Sequence, residues 1–316
     1  MTPSQFVKST PPPRLRALIS DISGYRVHSA PGVHRGLPSS DLTLIITLDE
    51  TVDVSFESGP QVSYTALVGG LHSKPTQVEH GELQHGIQLG LTPLGARALL
   101  GVPAGELADT GIHLSDVLGP TAAELTERLR SATTWSDRFD LLCGELDRLT
   151  SPAALPSAEL GWIWRRMAET DGHVPVSALA DEVGWSRQHL GARFRREFGL
   201  SPKLLGRVMR FQSARRHLIA GNPAGLADLA ADCGYSDQAH FNRDWREFTG
   251  MTPSQWIAEE LPFVQGATHL GDASSGHDDE HDANRDLAPG PLPRQESGHP
   301  LPGRGVRLRR SPDRSR

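Results

Sequence analysis

The sequence predicts an α+β N-terminal domain, a small antiparallel sheet or barrel plus helices, over residues 14–150. An all-α domain over 157–260 and a disordered tail over 265–316 follow it. Three observations support this order. Short β-rich segments separated by turn residues come first, apolar residues recur at helical spacing after Thr92, and residues 176–256 repeat internally.

The internal repeat contains two copies of a short helix, a Gly-containing turn and a second amphipathic helix. Gly184-Trp185-Ser186 returns fifty residues later as Gly234-Tyr235-Ser236, and Phe194 returns fifty-one residues later as Trp245. This order of elements is typical of a helix-turn-helix unit, whose second helix enters the major groove of DNA. The sequence therefore predicts two such units in one chain.

The N-terminal strands are predicted from alternation and β-branched residues. Residues 42–48, 53–56, 62–68 and 86–91 have strand character and are separated by Gly- and Pro-containing turns. Residues 1–13, which end in three prolines, are expected to form a loose lead-in. A small, mostly antiparallel sheet or barrel is the expected architecture.

Helices are predicted after Pro93 from the 3.6-residue period and from capping residues. Thr121, with Glu124 three residues later, predicts a capping box. Residues 150–156, with two prolines and no periodicity, mark the expected domain boundary. The predicted helices cover residues 93–100, 114–118, 121–130, 135–149, 157–170, 176–182, 187–198, 202–220, 226–232, 237–248 and 253–257.

Charge is distributed unevenly along the chain. The formal net charge of −6 argues against a nucleic-acid partner for the molecule as a whole. Residues 185–216 nevertheless contain nine basic side chains and a single acidic one, Glu197. A phosphate-contacting face needs only local positive potential, so this segment favours DNA binding.

Composition excludes several other classes of protein. Two cysteines cannot form a disulfide framework or a thiolate metal cluster, and Cys233 is expected in a core. No run approaches the roughly 20 apolar residues that span a bilayer, and no signal peptide is recognisable, so a cytoplasmic protein without a membrane partner is expected. The N-terminal histidines match no metal motif, and no phosphate loop or nucleophile elbow occurs; no metal, cofactor or catalytic residue is predicted.

The repeat resembles the C-terminal domain of the AraC/XylS family of bacterial transcription regulators. Residues 234–241, read as Gly-Tyr-Ser-Asp-Gln-Ala-His-Phe, follow the signature of that family, as do Arg243, Trp245, Gly250, Thr252-Pro253 and Trp256. Residues 210–218 are similar to its linker helix. The resemblance implies that this protein is a transcription regulator, activator or repressor, and not an enzyme.

The resemblance also implies roles for individual residues. Gly191 and Ala192 replace longer polar side chains of the family, so the second helix of the first unit is expected to contact few bases. Arginine and glutamine suit bidentate contacts with guanine and adenine. The predicted base-facing residues are Arg187, Gln188, Arg193, Gln238, Ala239, His240 and Arg243. Predicted phosphate contacts, which fix register without base information, are Arg195, Arg196, Arg207 and Arg210.

The N-terminal domain is expected to regulate the helical one. Residues 34–38 and 91–97 look like parts of a β-rich sensor module, which implies that the domain binds a small-molecule effector, mediates homodimerisation, or does both. The other expected partners are double-stranded promoter DNA and, for an activator, RNA polymerase. The alternative is an enzyme or a small-molecule-sequestering module that the helical domain only localises to DNA.

Overall fold

The computed structural model describes residues 4–57, 59–151, 155–221 and 225–261. These residues lie in one compact unit. The predicted tail over 265–316 lies outside the described residues, and the domain boundary at 150–156 stays a prediction. No helix of the described residues is long and apolar enough to cross a membrane.

The first part of the chain, residues 4–149, is called the β-rich part below. It contains a six-stranded antiparallel sheet with the strand order β1-β2-β9-β4-β7-β10 and a four-stranded antiparallel sheet with the order β3-β8-β5-β6. The strands are β1 Gln5–Ser9, β2 Ile19–His28, β3 Gly32–Gly36, β4 Leu42–Thr47, β5 Val52–Ser55, β6 Val62–Tyr64, β7 Ala66–Gly69, β8 Thr76–His80, β9 Leu83–Leu91 and β10 Gly111–His113.

Four helices and one 3₁₀ turn complete the β-rich part. Thr92 caps α1 through its side chain, which accepts a hydrogen bond from the Gly95 amide, and Thr134 caps α4 in the same way at Asp137. The elements are α1 Pro93–Leu100, the 3₁₀ turn Ala104–Glu106, α2 Ser115–Leu118, α3 Pro120–Ser131 and α4 Trp135–Leu149.

The second part, residues 155–261, is called the helical part. The helices are α5 Ala158–Glu169, α6 Val176–Glu182, α7 Arg187–Phe198, α8 Pro202–Ile219, α9 Leu226–Asp232, α10 Gln238–Thr249 and α11 Pro253–Glu259. The predicted fold class, an α+β part followed by an all-α part with two helix-turn-helix units, is confirmed.

Three details of the prediction were wrong. Residues 5–9 form β1, which pairs with β2, so the N-terminus is not a loose lead-in. Residues 62–68 divide into β6 and β7, which belong to different sheets. The capping box at Thr121 is absent, because α3 begins one residue earlier at Pro120, after Gly119 at φ 57°, and its N-cap makes no side-chain hydrogen bond.

The two helix-turn-helix units have different hydrophobic cores. Leu190, Phe194 and Phe198 of α7 belong to a cluster that continues through the six-stranded sheet and α1 to α5. The core residues of α9 and α10 instead form a separate cluster with α8 and α11, joined from the β-rich part by Leu37. Only the first unit therefore shares its main core with the β-rich part.

Candidate nucleic-acid interface

Helices α7 and α10, called the reading helices below, begin at equivalent positions of the repeat. The Ser186 side chain accepts a hydrogen bond from the His189 amide, and Asp237, fifty-one residues later, accepts one from the His240 amide. Such caps satisfy backbone donors at a helix start. The hydrogen bond from the His240 amide also lowers the pKa of the Asp237 carboxyl.

One face of each reading helix is fully buried. Phe194 and Phe198 of α7 and Phe241 and Trp245 of α10 are 0% exposed, and their rings pack against one another and against neighbouring aromatics. Their predicted role as core residues is confirmed. Because these rings point inward, the opposite faces of both helices are left for solvent or a partner.

Helix α7 exposes the five residues that were predicted to contact DNA from it: Arg187, Gln188, Arg193, Arg195 and Arg196. The Arg193 guanidinium lies over the Trp185 ring, 5.8 Å from its centroid. The other three arginines form no ion pair with any residue that the structure describes. This helix therefore presents cationic side chains that are available to an anionic partner.

Helix α10 exposes Gln238, Ala239 and Arg243, whereas His240 is half-buried. The His240 ring packs edge-on against Tyr235 with centroids 5.2 Å apart, and its Nδ1 lies 3.2 Å from the Ser236 hydroxyl. All four predicted residues thus lie in the first turns of one helix. Whether they contact bases stays a prediction.

Two exposed residues of the reading helices were missed in the sequence. Arg246 lies fifty-one residues after Arg195, and His189 lies fifty-one residues before His240. The His189 ring meets Trp185 edge-on at 4.8 Å, as His240 meets Tyr235. The repeat spacing itself was the signal that would have found both residues.

Arg207 and Arg210 of α8 have intramolecular partners. The Arg207 side chain binds Asp244 and Glu247 of α10, and these hydrogen bonds, with Asp244 the stronger cause, raise its pKa. Arg210 donates to the Gly172 carbonyl oxygen at 2.8 Å. Both guanidinium groups therefore join elements of the helical part to each other.

Helix α8 connects the two units. Its 18 residues correspond to a rod of about 27 Å. Ser213 donates a hydrogen bond to Asp171, whose carboxylate also pairs with Arg216 at 2.8 Å, so α8 is attached to the loop between α5 and α6. Helix α7 ends shortly before α8 begins, and α10 is joined to α8 by the ion pair of Asp244 with Arg207.

A cavity of about 420 Å³ is lined by both sheets of the β-rich part and by α8. Its walls include Thr43 and Gln88 from the sheets, Asp41 just before β4, and Gln212 and Arg215 from α8. Burial lowers the pKa of Arg215, whose side chain makes no hydrogen bond with the described residues. Among those residues no group of three histidine, cysteine or acidic side chains is arranged to hold a metal ion.

Residues 179–259 match a protein-family model described as a helix-turn-helix domain. The HTH-type transcriptional activator RhaR of Escherichia coli O1:K1 is 26% identical over 173 residues, which are 51% of this chain and 60% of the relative. The chain therefore spans about three-fifths of the length of the curated relatives that it matches.

Two solved structures are also similar to the chain. The structure of ToxT from Vibrio cholerae has a TM-score of 0.45 at 12% identity and covers 75% of this chain and 97% of its own. The C-terminal domain of AraT, a response regulator from Geobacillus stearothermophilus, has a TM-score of 0.30 at 18% identity and covers 32% of this chain and 85% of its own.

The fold of residues 155–261 and the family-model match define a helix-turn-helix protein with two units in one chain. The family-model match and the regulator among the relatives support the resemblance of this domain to the AraC/XylS family.

Proposed function

We propose that the protein is a sequence-specific, DNA-binding transcription regulator that places α7 and α10 in successive major grooves of one duplex. The observation that supports this most strongly is the pair of equivalent helices with exposed basic faces, which are connected by α8, a rod of about 27 Å. Neighbouring major-groove faces on one side of B-DNA are roughly 34 Å apart, a similar distance.

The assignment of contacts follows from exposure. We propose that Arg187, Gln188, Arg193, Gln238, Ala239, His240 and Arg243 face the bases, because they lie on the exposed or half-exposed surface of the reading helices. Arg195 and Arg196, which lack carboxylate partners among the described residues, are assigned to phosphates. The intramolecular bonds of Arg207 and Arg210 favour a structural role for these two residues over the phosphate contacts expected from the sequence.

The test is selection from random duplexes with the purified full chain, followed by gel-shift titrations of the selected site and of scrambled DNA. Specific binding is expected to exceed non-specific binding by roughly 10³-fold or more at physiological salt. Equal affinity for both duplexes would contradict the proposal.

We propose further that a small molecule in the cavity controls DNA binding. This proposal is supported by the position of α8, which connects the two reading helices. Its residues Gln212 and Arg215 form part of the cavity wall. A volume of about 420 Å³ lies in the range of small-molecule sites. A ligand in the cavity would contact the β-rich part and α8 at the same time. It would thereby change the position of the reading helices relative to the β-rich part.

A thermal-shift screen of the full chain tests this control. A true ligand raises the melting temperature of the wild type, and the rise is lost in Gln88→Trp, whose indole would occupy the cavity. A rise that persists in that variant would place the ligand elsewhere. If the ligand binds but the ligand-saturated and ligand-free proteins bind DNA equally well, the β-rich part only sequesters the small molecule.

The remaining partners are proposed on the names of the relatives. RhaR is named a transcriptional activator, which supports regulation over catalysis and makes RNA polymerase the expected partner of an activating protein. We also propose that the protein forms a homodimer through the β-rich part. It is proposed to act in the cytoplasm, where promoter DNA is found in bacteria. Sedimentation of the purified chain would show a single monomeric species if the dimer is wrong.

A further inference from the structure

The C-terminal ends of the two reading helices differ in chemistry. In α10, Phe248 is 0% exposed and belongs to the core of its own unit. The equivalent residue of α7, fifty-one positions earlier, is Glu197, which is also buried. A carboxylate in the last turn of a helix is disfavoured by the helix dipole, and burial adds to that cost. An acidic residue at this position therefore requires a strong partner.

The partner of Glu197 is Arg97, which belongs to α1 of the β-rich part. Its Nε donates to Oε1 at 2.6 Å and its Nη2 donates to Oε2 at 2.9 Å. The two side chains are only 28% and 10% exposed. Parallel hydrogen bonds of this kind fix orientation as well as distance. The ion pair thus joins the first reading helix to the β-rich part in one geometry.

The backbone makes a second contact at the same place. A Cβ on Gly105 of the 3₁₀ turn would lie 2.4 Å from the Arg196 carbonyl oxygen. A Cβ on Gly199 would lie 2.5 Å from the Cβ of Ala108. The equivalent glycine of the second unit, Gly250, would meet no described atom within 4 Å. Among the described residues, the C-terminal end of the first reading helix therefore packs closely against the β-rich part, and that of the second does not.

We propose that Arg97 and the 3₁₀ turn Ala104–Glu106 position the first reading helix for DNA recognition, so that the β-rich part sets how one half of the DNA site is read. The second reading helix is positioned instead by Arg207 of α8, through Asp244 and Glu247. Arg97 is a positioning residue that acts through Glu197 and touches no DNA. This inference rests on the proposed function, since it concerns recognition of a two-part site.

The consequence is that a lost ion pair affects the two halves of the site unequally. When Arg97 is replaced, Glu197 is left as an unpaired, buried carboxylate at the end of α7, and that end is expected to move to reach water. Base contacts depend on sub-ångström placement of the helix, so α7 no longer distinguishes the selected sequence of its half-site from a scrambled one. The half-site read by α10 keeps it, because the residues that hold α10 are unchanged.

The experiment measures discrimination at each half-site with the full chain. The selected duplex is compared with duplexes in which one half is scrambled, and Arg243→Ala identifies the half that α10 reads. In the wild type, scrambling either half is expected to weaken binding roughly tenfold or more. In Arg97→Glu and the milder Arg97→Gln, scrambling the α7 half is expected to have little further effect, while scrambling the α10 half keeps its wild-type effect.

Two further variants complete the design. The charge-reversed double variant Arg97→Glu/Glu197→Arg is expected to regain discrimination at the α7 half. Arg128→Glu, which breaks an ion pair with Glu145 that joins α3 to α4 only, serves as the matched control and is expected to behave as the wild type. Equal loss at both halves in both Arg97 variants, or unchanged discrimination in both, would overturn the inference. A wild type without any site preference would instead contradict the proposed function.

Discussion

The guanidinium of Arg207 donates hydrogen bonds to both carboxylate oxygens of Asp244, with donor–acceptor distances of 2.8 to 3.2 Å. The Asp244 side chain is only 3% exposed, and Glu247 binds the same guanidinium. This bond attaches the second reading helix to the helix that joins the two units.

Replacement of Arg207 by alanine is expected to destabilise the folded chain by roughly 3 kcal/mol, because Asp244 would remain as a buried carboxylate without its cation. Urea denaturation measures the loss. Arg216→Ala is the control, since its ion pair with Asp171 is about half exposed and such pairs contribute about 1 kcal/mol or less. Equal losses in the two variants would show that the Arg207 pair contributes no more than a surface one.

Arg243→Ala tests base recognition by α10. The side chain is exposed on that helix and pairs with no described carboxylate, so its removal is expected to cost about 1–3 kcal/mol at the selected site and much less on random DNA. Gel-shift titrations on the two duplexes give both values. A similar loss on each duplex would assign Arg243 to phosphate, and Arg130→Ala, an exposed arginine of α3, should change neither.

Asp41 is expected to make the free energy of unfolding fall as the pH rises. Burial raises the pKa of this carboxyl from 3.8 to about 6; Asp21 also raises it, whereas Ser20 and Arg216 lower it. Between these two values the folded chain binds more protons than the unfolded chain, so this contribution to stability falls as pH rises. The loss is complete above about pH 6.

The variant Asp41→Asn is therefore expected to gain stability relative to the wild type as the pH is raised from about 4 to about 7. Urea denaturation of both proteins across this range measures the difference. Burial, and to a smaller extent His80, lowers the pKa of His34 to about 4, so His34 contributes a pH dependence of the opposite sign. That contribution is the same in both proteins and cancels in the comparison. A difference that stays constant with pH would contradict the assignment.

Local signals explain what the sequence predicted well. Helices α1, α4, α6, α7 and α9 have the expected bounds, because apolar spacing and caps such as Ser186 act within a few residues. Strands β1, β2, β3, β8 and β10 were not anticipated individually. They are short or polar on one face, and their register is set by partners distant in sequence, as in the pairing of Gln5 with Arg26.

Long-range contacts explain what the sequence did not reveal. The exposed faces of α7 and α10 followed from the repeat, but the ion pair of Arg97 with Glu197 joins residues one hundred positions apart without any local pattern. The same holds for Arg207, whose cluster of basic neighbours suggested phosphate binding until Asp244 was seen beside it. Charge runs in a sequence do not show which cations are already paired.

Hydroxyl-radical footprinting of the full chain on its selected duplex tests the two-groove arrangement most directly. Two protected regions are expected on one face of the duplex, separated by about one helical turn of 10 to 10.5 base pairs. Insertion of half a turn between the two halves is expected to abolish specific binding, because α8 holds the reading helices on one side of the duplex. A single protected region, or binding that the insertion does not change, would contradict the two-groove arrangement.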